Sequence, residues 1–423
     1  MRVDCYPEAP AEWPRHSVGD LAIIDPPYQL EVGKTYPFVE MASVREGFGG
    51  IDHFGRRIWD RSGLCRFKER DLMLGKITPC AENGKAALVR DLPDNYGIGS
   101  TEFFVLSPAE GVNPEYFFAA VTAGPFHRRL VSRMEGSTGR LRITRDTLKK
   151  WLTFPLPPLY EQSRIAAALR LADDAINTAR AELETTRKFK LSLASELVTS
   201  GLGPSGRPRQ TTRLGTIPSG WSVSELRSLW ASSTNGLYVP EDQYGSGVPI
   251  VRIDSFNDGF FETRNFKRIR VRPADVESFS LEKGDLLVNR VNSIPFLGKV
   301  AYVDEIEEFT VFESNMMRLR FPSHELSQYL ALYLSVPAVK KRIWAMGRPA
   351  VAQLSINQRD VGRFLVALPG TDEREKIVKI VSSAKAVEQT ALDKLEACLE
   401  LKRSLLQDLL TGRVRLPEGF AHD

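Results

Sequence analysis

Leu156-Pro157-Pro158-Leu159-Tyr160-Glu161-Gln162 opens a stretch that runs to Leu197-Val198-Thr199-Ser200-Gly201, and the chain repeats it from Leu368 to Gly412. At a constant offset of 212 and without a gap, the copies share Leu156/Leu368, Pro157/Pro369, Glu161/Glu373, Ile165/Ile377, Ala172/Ala384, Leu183/Leu395, Lys190/Lys402, Leu193/Leu405, Leu197/Leu409 and Thr199/Thr411. An ungapped repeat of this length marks a rigid helix. Ile165, Leu169, Ala172, Ile176, Ala179 and Leu183 step by 4, 3, 4, 3 and 4, the spacing of a coiled-coil seam. The matching residues are Ile377, Val381, Ala384, Glu388, Ala391 and Leu395, and Leu193, Leu197, Leu405 and Leu409 prolong both seams. Lys190 and Lys402 interrupt them at the same step, where a polar residue either fixes register or snorkels outward. Proline ahead of each copy sets the entry, and Glu161 or Glu373 complements the positive helix end. Roughly 39 residues at 1.5 Å each make a rod of about 58 Å, too long for the core of one small domain.

Around the rods the chain is an ordinary soluble protein: 423 residues, 42% hydrophobic and 26% charged. A net charge of +4 is modest, so any polyanion site must come from local clustering. Cys5, Cys65, Cys80 and Cys398 lack paired spacing, and Cys398 lies on the seam, which points to reduced thiols in a cytoplasmic protein. The first residues lack an apolar signal core, and no apolar run approaches the roughly 20 residues of a membrane span, so neither export nor insertion is expected. His16, His53, His127, His324 and His422 are scattered without ligand or triad spacing, and no phosphate-binding loop occurs. These observations describe a reader rather than a catalyst, with no cofactor or metal of its own.

In order, residues 1–155 read as mixed strand and helix. Short β-like runs are Leu21–Ile24, Tyr36–Val39, Asp71–Leu74, Ala86–Val89 and Phe103–Leu106, with helices over Pro114–Ala123 and Pro125–Met134. Residues 156–201 form the central helix and 202–213 a breaker-rich linker. Residues 214–367 repeat the first domain loosely: Pro37-Phe38-Val39 matches Pro249-Ile250-Val251, Asp71-Leu72 matches Asp285-Leu286, and Gly84-Lys85 matches Gly298-Lys299. Residues 368–412 form the distal helix and 413–423 a tail. The fold expected is therefore α/β (α+β): two mixed α/β domains joined by two long antiparallel coiled-coil helices, a pseudo-twofold tandem duplication that would set the domains at opposite ends of the rods.

Basic residues cluster at Arg128, Arg129, Arg133, Arg140, Arg142, Arg145, Lys149 and Lys150, at Arg264, Lys267, Arg268, Arg270 and Arg272, and at Lys340, Lys341, Arg342 and Arg348. Paired patches in duplicated domains suit contact with a phosphate backbone, although a single charge run is commonly just a solvated face. A polar loop carrying Lys76, Thr78, Asn83 and Lys85, with its counterpart Asn289, Arg290 and Asn292, holds side chains able to hydrogen-bond base edges; an Asn-Gly hairpin turn explains it equally well. The candidate DNA-contacting set is thus Lys76, Thr78, Asn83, Lys85, Arg140, Arg142, Arg268, Arg270, Asn289, Arg290, Asn292 and Arg348. Asp25-Pro26-Pro27-Tyr28 has the form of the loop with which adenine methyltransferases grip a flipped base. No strand-and-glycine turn for a methyl donor accompanies it, Gly47-Phe48-Gly49-Gly50 being the nearest, and the second domain does not repeat it.

Pro157 to Gln162, Leu193 to Thr199, Leu406-Gln407-Asp408-Leu409-Leu410-Thr411-Gly412, Ile77 to Lys85 and Gly99-Ser100-Thr101-Glu102-Phe103 stand in an order and spacing that resembles the specificity subunits of type I restriction-modification systems. Leu214-Gly215-Thr216-Ile217-Pro218-Ser219-Gly220-Trp221 resembles the opening of that family's second target recognition domain. The resemblance implies two target recognition domains, each reading one half of a bipartite site in double-stranded DNA. It implies two modification (methyltransferase) subunits using S-adenosylmethionine, and restriction (motor and nuclease) subunits using ATP and Mg. Arg374 departs from the pattern by standing where the first copy has Gln162. Three rival readings stay open: a subunit of a fused or related system, a coiled-coil adaptor without a DNA role, and the Asp25-Pro26-Pro27-Tyr28 methyltransferase.

Overall fold

The computed structural model describes every residue except Met1, Thr138, Pro204, Ser205, Asp258, 262–265, Pro295, Val351, Ala352 and 421–423. Two helices of 42 and 40 residues, Leu159–Ser200 and Thr371–Leu410, occupy the repeated stretches. What they bury is the expected seam. Ile165, Leu169, Ala172, Ile176, Ala179 and Leu183 are all at most 6% exposed. Ile377, Val381, Ala384, Ala391, Leu197 and Leu409 are buried too, while Leu193, Leu395 and Leu405 are half-buried.

The chain forms two compact units, Met1–Arg180 with Lys394–Asp423, and Ala181–Asp393, so each long helix contributes one half to each unit. In the first unit Lys402 Nζ lies 2.5 Å from Asp173 Oδ1, and Arg415 pairs with Glu161. In the second, Glu388 takes Arg187 Nε at 3.0 Å and Lys190 Nζ at 2.5 Å, and Glu373 takes Arg207 Nη1 at 2.5 Å. Within each unit, partners along one helix and the residues just past its end rise in number as those on the other helix fall, so the paired segments are antiparallel. Both seam lysines therefore reach an anion on the facing helix instead of snorkelling away.

In the first unit a four-stranded antiparallel sheet runs in the order Ala22–Ile24, Phe103–Pro108, Leu72–Gly75, Ala86–Leu88. A second sheet holds Gly55–Ile58, Thr35–Val39, Tyr96–Gly99 and Cys65–Lys68. A third places Leu152–Pro155 between Val3–Asp4 and Arg15–Ser17. Helix Pro114–Thr122 is capped by Asn113, whose side chain accepts from the amides of Glu115 and Tyr116. Gln162 ties this cap to the long helix: its Oε1 accepts from Asn113 N at 2.8 Å and its Nε2 donates to Pro157 O at 2.8 Å. Trp13, Phe117, Phe126, Phe154, Ile165, Leu169, Leu409 and Leu410 share one core. Residues 413–420 join the same unit, with Leu416 and Phe420 packed on that core.

The second unit repeats the plan. Leu286–Asn289 lies between Met316–Arg320 and Val300–Tyr302 in a six-stranded sheet, as Leu72–Gly75 lies between Phe103–Pro108 and Ala86–Leu88. Arg374 does the work of Gln162 by a different route, donating to Pro369 O at 3.0 Å and to Glu325 Oε1 at 2.6 Å. The amide bridges backbone to backbone; the guanidinium needs a carboxylate, which Glu325 supplies at the start of helix His324–Ser335. No described helix is long and apolar enough to cross a membrane.

Burial alone would push the Glu388 carboxyl up, but its hydrogen bond to Lys190 and the charges of Lys190 and Arg187 hold it below the ordinary carboxylate value. The sign of the resulting linkage is fixed. A depressed carboxylate stabilises the fold above its unfolded pKa, and that contribution is lost as pH falls through the folded value. Glu388→Gln is expected to cost about 1–2 kcal/mol at neutral pH by removing the charge that Arg187 and Lys190 pair with. Thermal unfolding of wild type and variant should converge below about pH 4; a gap that stays constant into acid would refute the ion pair's role.

Candidate nucleic-acid interface

Ile77 to Gly84 form a turn between strands Leu72–Gly75 and Ala86–Leu88, and a hairpin from some sixty residues further on is sewn to it. Its arms are Glu135–Ser137 and Arg140–Arg142. Ile143 N donates to Lys76 O at 2.8 Å and Thr78 N to Leu141 O at 3.0 Å, so hairpin and turn share a backbone frame. The second unit builds the same frame. Arg348–Ala350 and Gln353–Ser355 form the hairpin, Val291–Asn292 pairs with its second arm, and Ile356 N donates to Arg290 O at 2.8 Å. Residues far apart in sequence are thus brought together twice: Lys76 and Thr78 with Arg140 and Arg142, and Arg290 with Arg348.

The side chains separate into displayed and inward groups. Arg140 is exposed, and its side chain makes no hydrogen bond or ion pair among the described residues. Arg142, also exposed, donates to Glu102 Oε1 at 3.1 Å. Thr78 Oγ1 and Asn83 Nδ2 hold Glu82 and Glu46 at 2.6 and 2.8 Å on the surface of the turn. Lys76 is half-buried with its ammonium 5.2 Å from the Phe104 ring centre. Arg348 is exposed and bonds Asp360 at 2.9 Å, and half-buried Arg290 donates to Ser314 O at 2.9 Å.

Several expected contacts point the wrong way. Lys85 donates inward to Met41 O at 2.9 Å, as its match Lys299 does to Ile253 O at 3.0 Å, so both brace the fold. Asn289 is fully buried, and neither amide atom has a partner among the described residues. Asn292 is buried with its Oδ1 accepting from Ser293 N at 2.8 Å. Lys85, Asn289 and Asn292 of the expected set thus face inward. Arg268 and Arg270 are exposed but lie on and beside strand Lys267–Ile269 in a different sheet, Arg268 pairing with Glu308 and Arg270 donating to Asp242 O. The basic runs also dissolve on folding. Arg129 donates to Cys5 O, Arg145 to Asp25 and Ile24 O, and Arg342 to Leu365 O, while Arg133 stacks on Trp151 and Lys340 is buried. Arg264 and His422 lie outside the described residues.

The Asp25 to Tyr28 loop is a half-buried corner. Asp25, at φ 51°, accepts from Val105 N at 3.0 Å and from Arg145 at 3.2 Å. The Tyr28 hydroxyl lies between Ser107 Oγ at 3.0 Å and Asp71 Oδ1 at 3.2 Å. With its acid and its phenol both engaged, the loop has no free group with which to grip a base. Gln353, in contrast, went unremarked in the sequence. It is exposed at the hairpin position matching Arg140, and its amide can both donate to and accept from a base edge.

The model of the type I restriction modification DNA specificity domain matches residues 10–185 and again 218–397. A putative type I restriction enzyme MjaX specificity subunit from Methanocaldococcus jannaschii is 29% identical over 211 residues, covering 49% of this chain and 50% of that one. The EcoKI specificity subunit of Escherichia coli K12 is 22% identical over 305 residues, 71% of this chain and 64% of its own. The EcoAI specificity subunit of E. coli is 28% identical over 232 residues, 53% and 36%. The matches thus span between about a third and two thirds of these relatives' lengths. A solved chain from work on complex assembly and conformational transition of the type I R-M system shares the fold, with a TM-score of 0.59 at 18% identity over 96% of this chain and 99% of that one.

Arg140→Ala removes a hairpin cation of the first unit whose side chain has no partner among the described residues, so folding should be untouched. Duplex DNA binding is expected to weaken about tenfold, with the slope of log affinity against log salt shallower by roughly 0.9. An unchanged slope would place Arg140 off the DNA.

Proposed function

The chain belongs to the family of type I restriction-modification DNA specificity domains, and on that premise we propose that it is the DNA sequence-recognition subunit of a type I restriction-modification complex. The observation that carries this reading is the twice-built frame of turn and hairpin, which displays Arg140 and Arg142 in one unit and Gln353 and Arg348 in the other. Each unit reads one half of a bipartite site in double-stranded DNA. Arginine and glutamine are the side chains whose paired donors or donor and acceptor match guanine and adenine in the major groove.

The long helices, which run through both units, set the length of DNA left unread between the halves and dock the methyltransferase subunits. Phe189 and Leu401, 60% and 55% exposed, occupy positions 212 apart on their outer faces. Large apolar side chains left in water at equivalent places suit two copies of one partner. Methyl transfer from S-adenosylmethionine, and cleavage driven by ATP with Mg, belong to those modification and restriction subunits. The complex works in the cytoplasm, where the DNA is.

The test is an exchange. Replacing residues 214–367 with the matching domain of a relative should alter one half of the methylated sequence and leave the other; a change in both halves, or in neither, would count against two independent readers. Leu401→Glu should lower the affinity for the modification subunit by tenfold or more in a pull-down titration, with DNA contacts intact. Unimpaired assembly would show that this face docks nothing.

A further inference from the structure

Each reading turn is held by more than its flanking strands. In the first unit His127, on helix Gly124–Val131, brings Nε2 to 2.8 Å from Ala81 O in the middle of the turn. A carbonyl there only accepts, so the ring must donate. Burial holds the His127 pKa below its ordinary value, and the contact with Ala81 O calls for a proton on Nε2. The ring meets Phe48 edge-on at 5.0 Å, and Phe48 in turn covers Gly84, where a Cβ would sit 3.0 Å from its ring. The amides of Gly47 and Phe48 donate to Asn83 O and Gly84 O, both at 2.8 Å.

The second unit has no histidine there, yet the same job is done. Trp344, ending helix Pro337–Trp344, donates Nε1–H to Leu297 O at 3.0 Å. The helices align through their buried pairs Phe126/Val339 and Leu130/Ile343. Trp344 then falls four residues past the match of His127, one turn along the same face. Different rings, one turn apart, thus deliver an N–H to carbonyls of equivalent turns.

We propose that His127 and Trp344 are positioning residues for DNA reading: each fixes its own unit's turn to the helix that bears the ring, and so sets the fidelity with which that unit reads its half-site. Neither ring needs to touch DNA. Within its turn Ala81 O also accepts from Gly84 N at 3.1 Å, but that bond is local; once the ring N–H that ties the turn to its helix is removed, the turn can shift by the few tenths of an ångström that spoil a base contact.

The inference rests on the recognition role proposed above, and its test separates the two. The full chain is produced with its modification subunits, and genomic adenine methylation is mapped by sequencing. His127→Ala should leave one half-sequence intact and make one or two positions of the other degenerate, with discrimination there falling roughly tenfold. Trp344→Phe should relax the opposite half. His127→Gln, which keeps an N–H at similar reach, should restore the wild-type pattern, a rescue that simple filling of space would not give. Should His127→Ala not accumulate folded, His127→Asn, too short to reach Ala81, carries the same expectation. Both halves unchanged, both halves relaxed, or no rescue by glutamine would overturn the proposal. A wild-type chain that yields no bipartite methylation would overturn the recognition role itself.

Discussion

A helix of some forty residues cannot bury its apolar stripe by itself, and the packing of two such stripes against each other is what the rest of this molecule hangs on. The seam is mostly alanine and aliphatic, which lets the paired segments approach closely. Its charged interruptions are placed differently in the two copies. Ile176 is matched by Glu388 and Asp173 by Lys385, so Lys402 meets Asp173 in the first unit while Lys190 meets Glu388 in the second. Slippage by one heptad would leave these half-buried charges without partners, which is how a polar seam residue fixes register.

The ends of the helices use one chemistry twice. Gly201 and Gly412 both take positive φ, 73° and 66°, and a Cβ at either would strike the tryptophan that opens a unit, Trp221 at 2.9 Å or Trp13 at 3.1 Å. Glycine is required on both counts. Beyond each glycine an arginine returns to the glutamate that starts the other helix: Arg207 to Glu373, Arg415 to Glu161. Trp221 Nε1 also donates to Glu373 at 3.0 Å, whereas in the first unit Arg415 stacks over Trp13 at 4.7 Å. The C-terminal stretch therefore stands to the first unit as the linker stands to the second, and Leu416 and Phe420 beyond the distal helix pack on the first unit's core.

The rods and most central strands were legible because period and ungapped repetition survive in any single sequence. The interface was legible only in part. Turn and hairpin meet through long-range backbone bonds, Ile143 to Lys76 and Ile356 to Arg290, and no local pattern announces such pairings. Charge was the poorer guide. Arginine carries five donors on a long stem, so it settles as readily on carbonyls, as Arg129, Arg145 and Arg342 do, as it projects into solvent. Homology between the units misled at Asn289, whose match is Gly75: Gly75 lies so close to Lys85 O that a Cβ would be 2.9 Å from it, and the asparagine inherits that crowded, inward position.

What the two units share and what they vary follow from the same geometry. The frame consists of backbone bonds, which are indifferent to side chains, so Arg140 and Arg142 in one hairpin can be matched by Gln353 and Ser355 in the other without moving the strands that carry them. Bracing residues are constrained differently: Lys85 and Lys299 keep both charge and target, while His127 and Trp344 keep the donated proton and exchange the ring that bears it. The side chains displayed on the hairpins can therefore vary without loosening the frame, because the backbone bonds that join turn and hairpin are made by none of them.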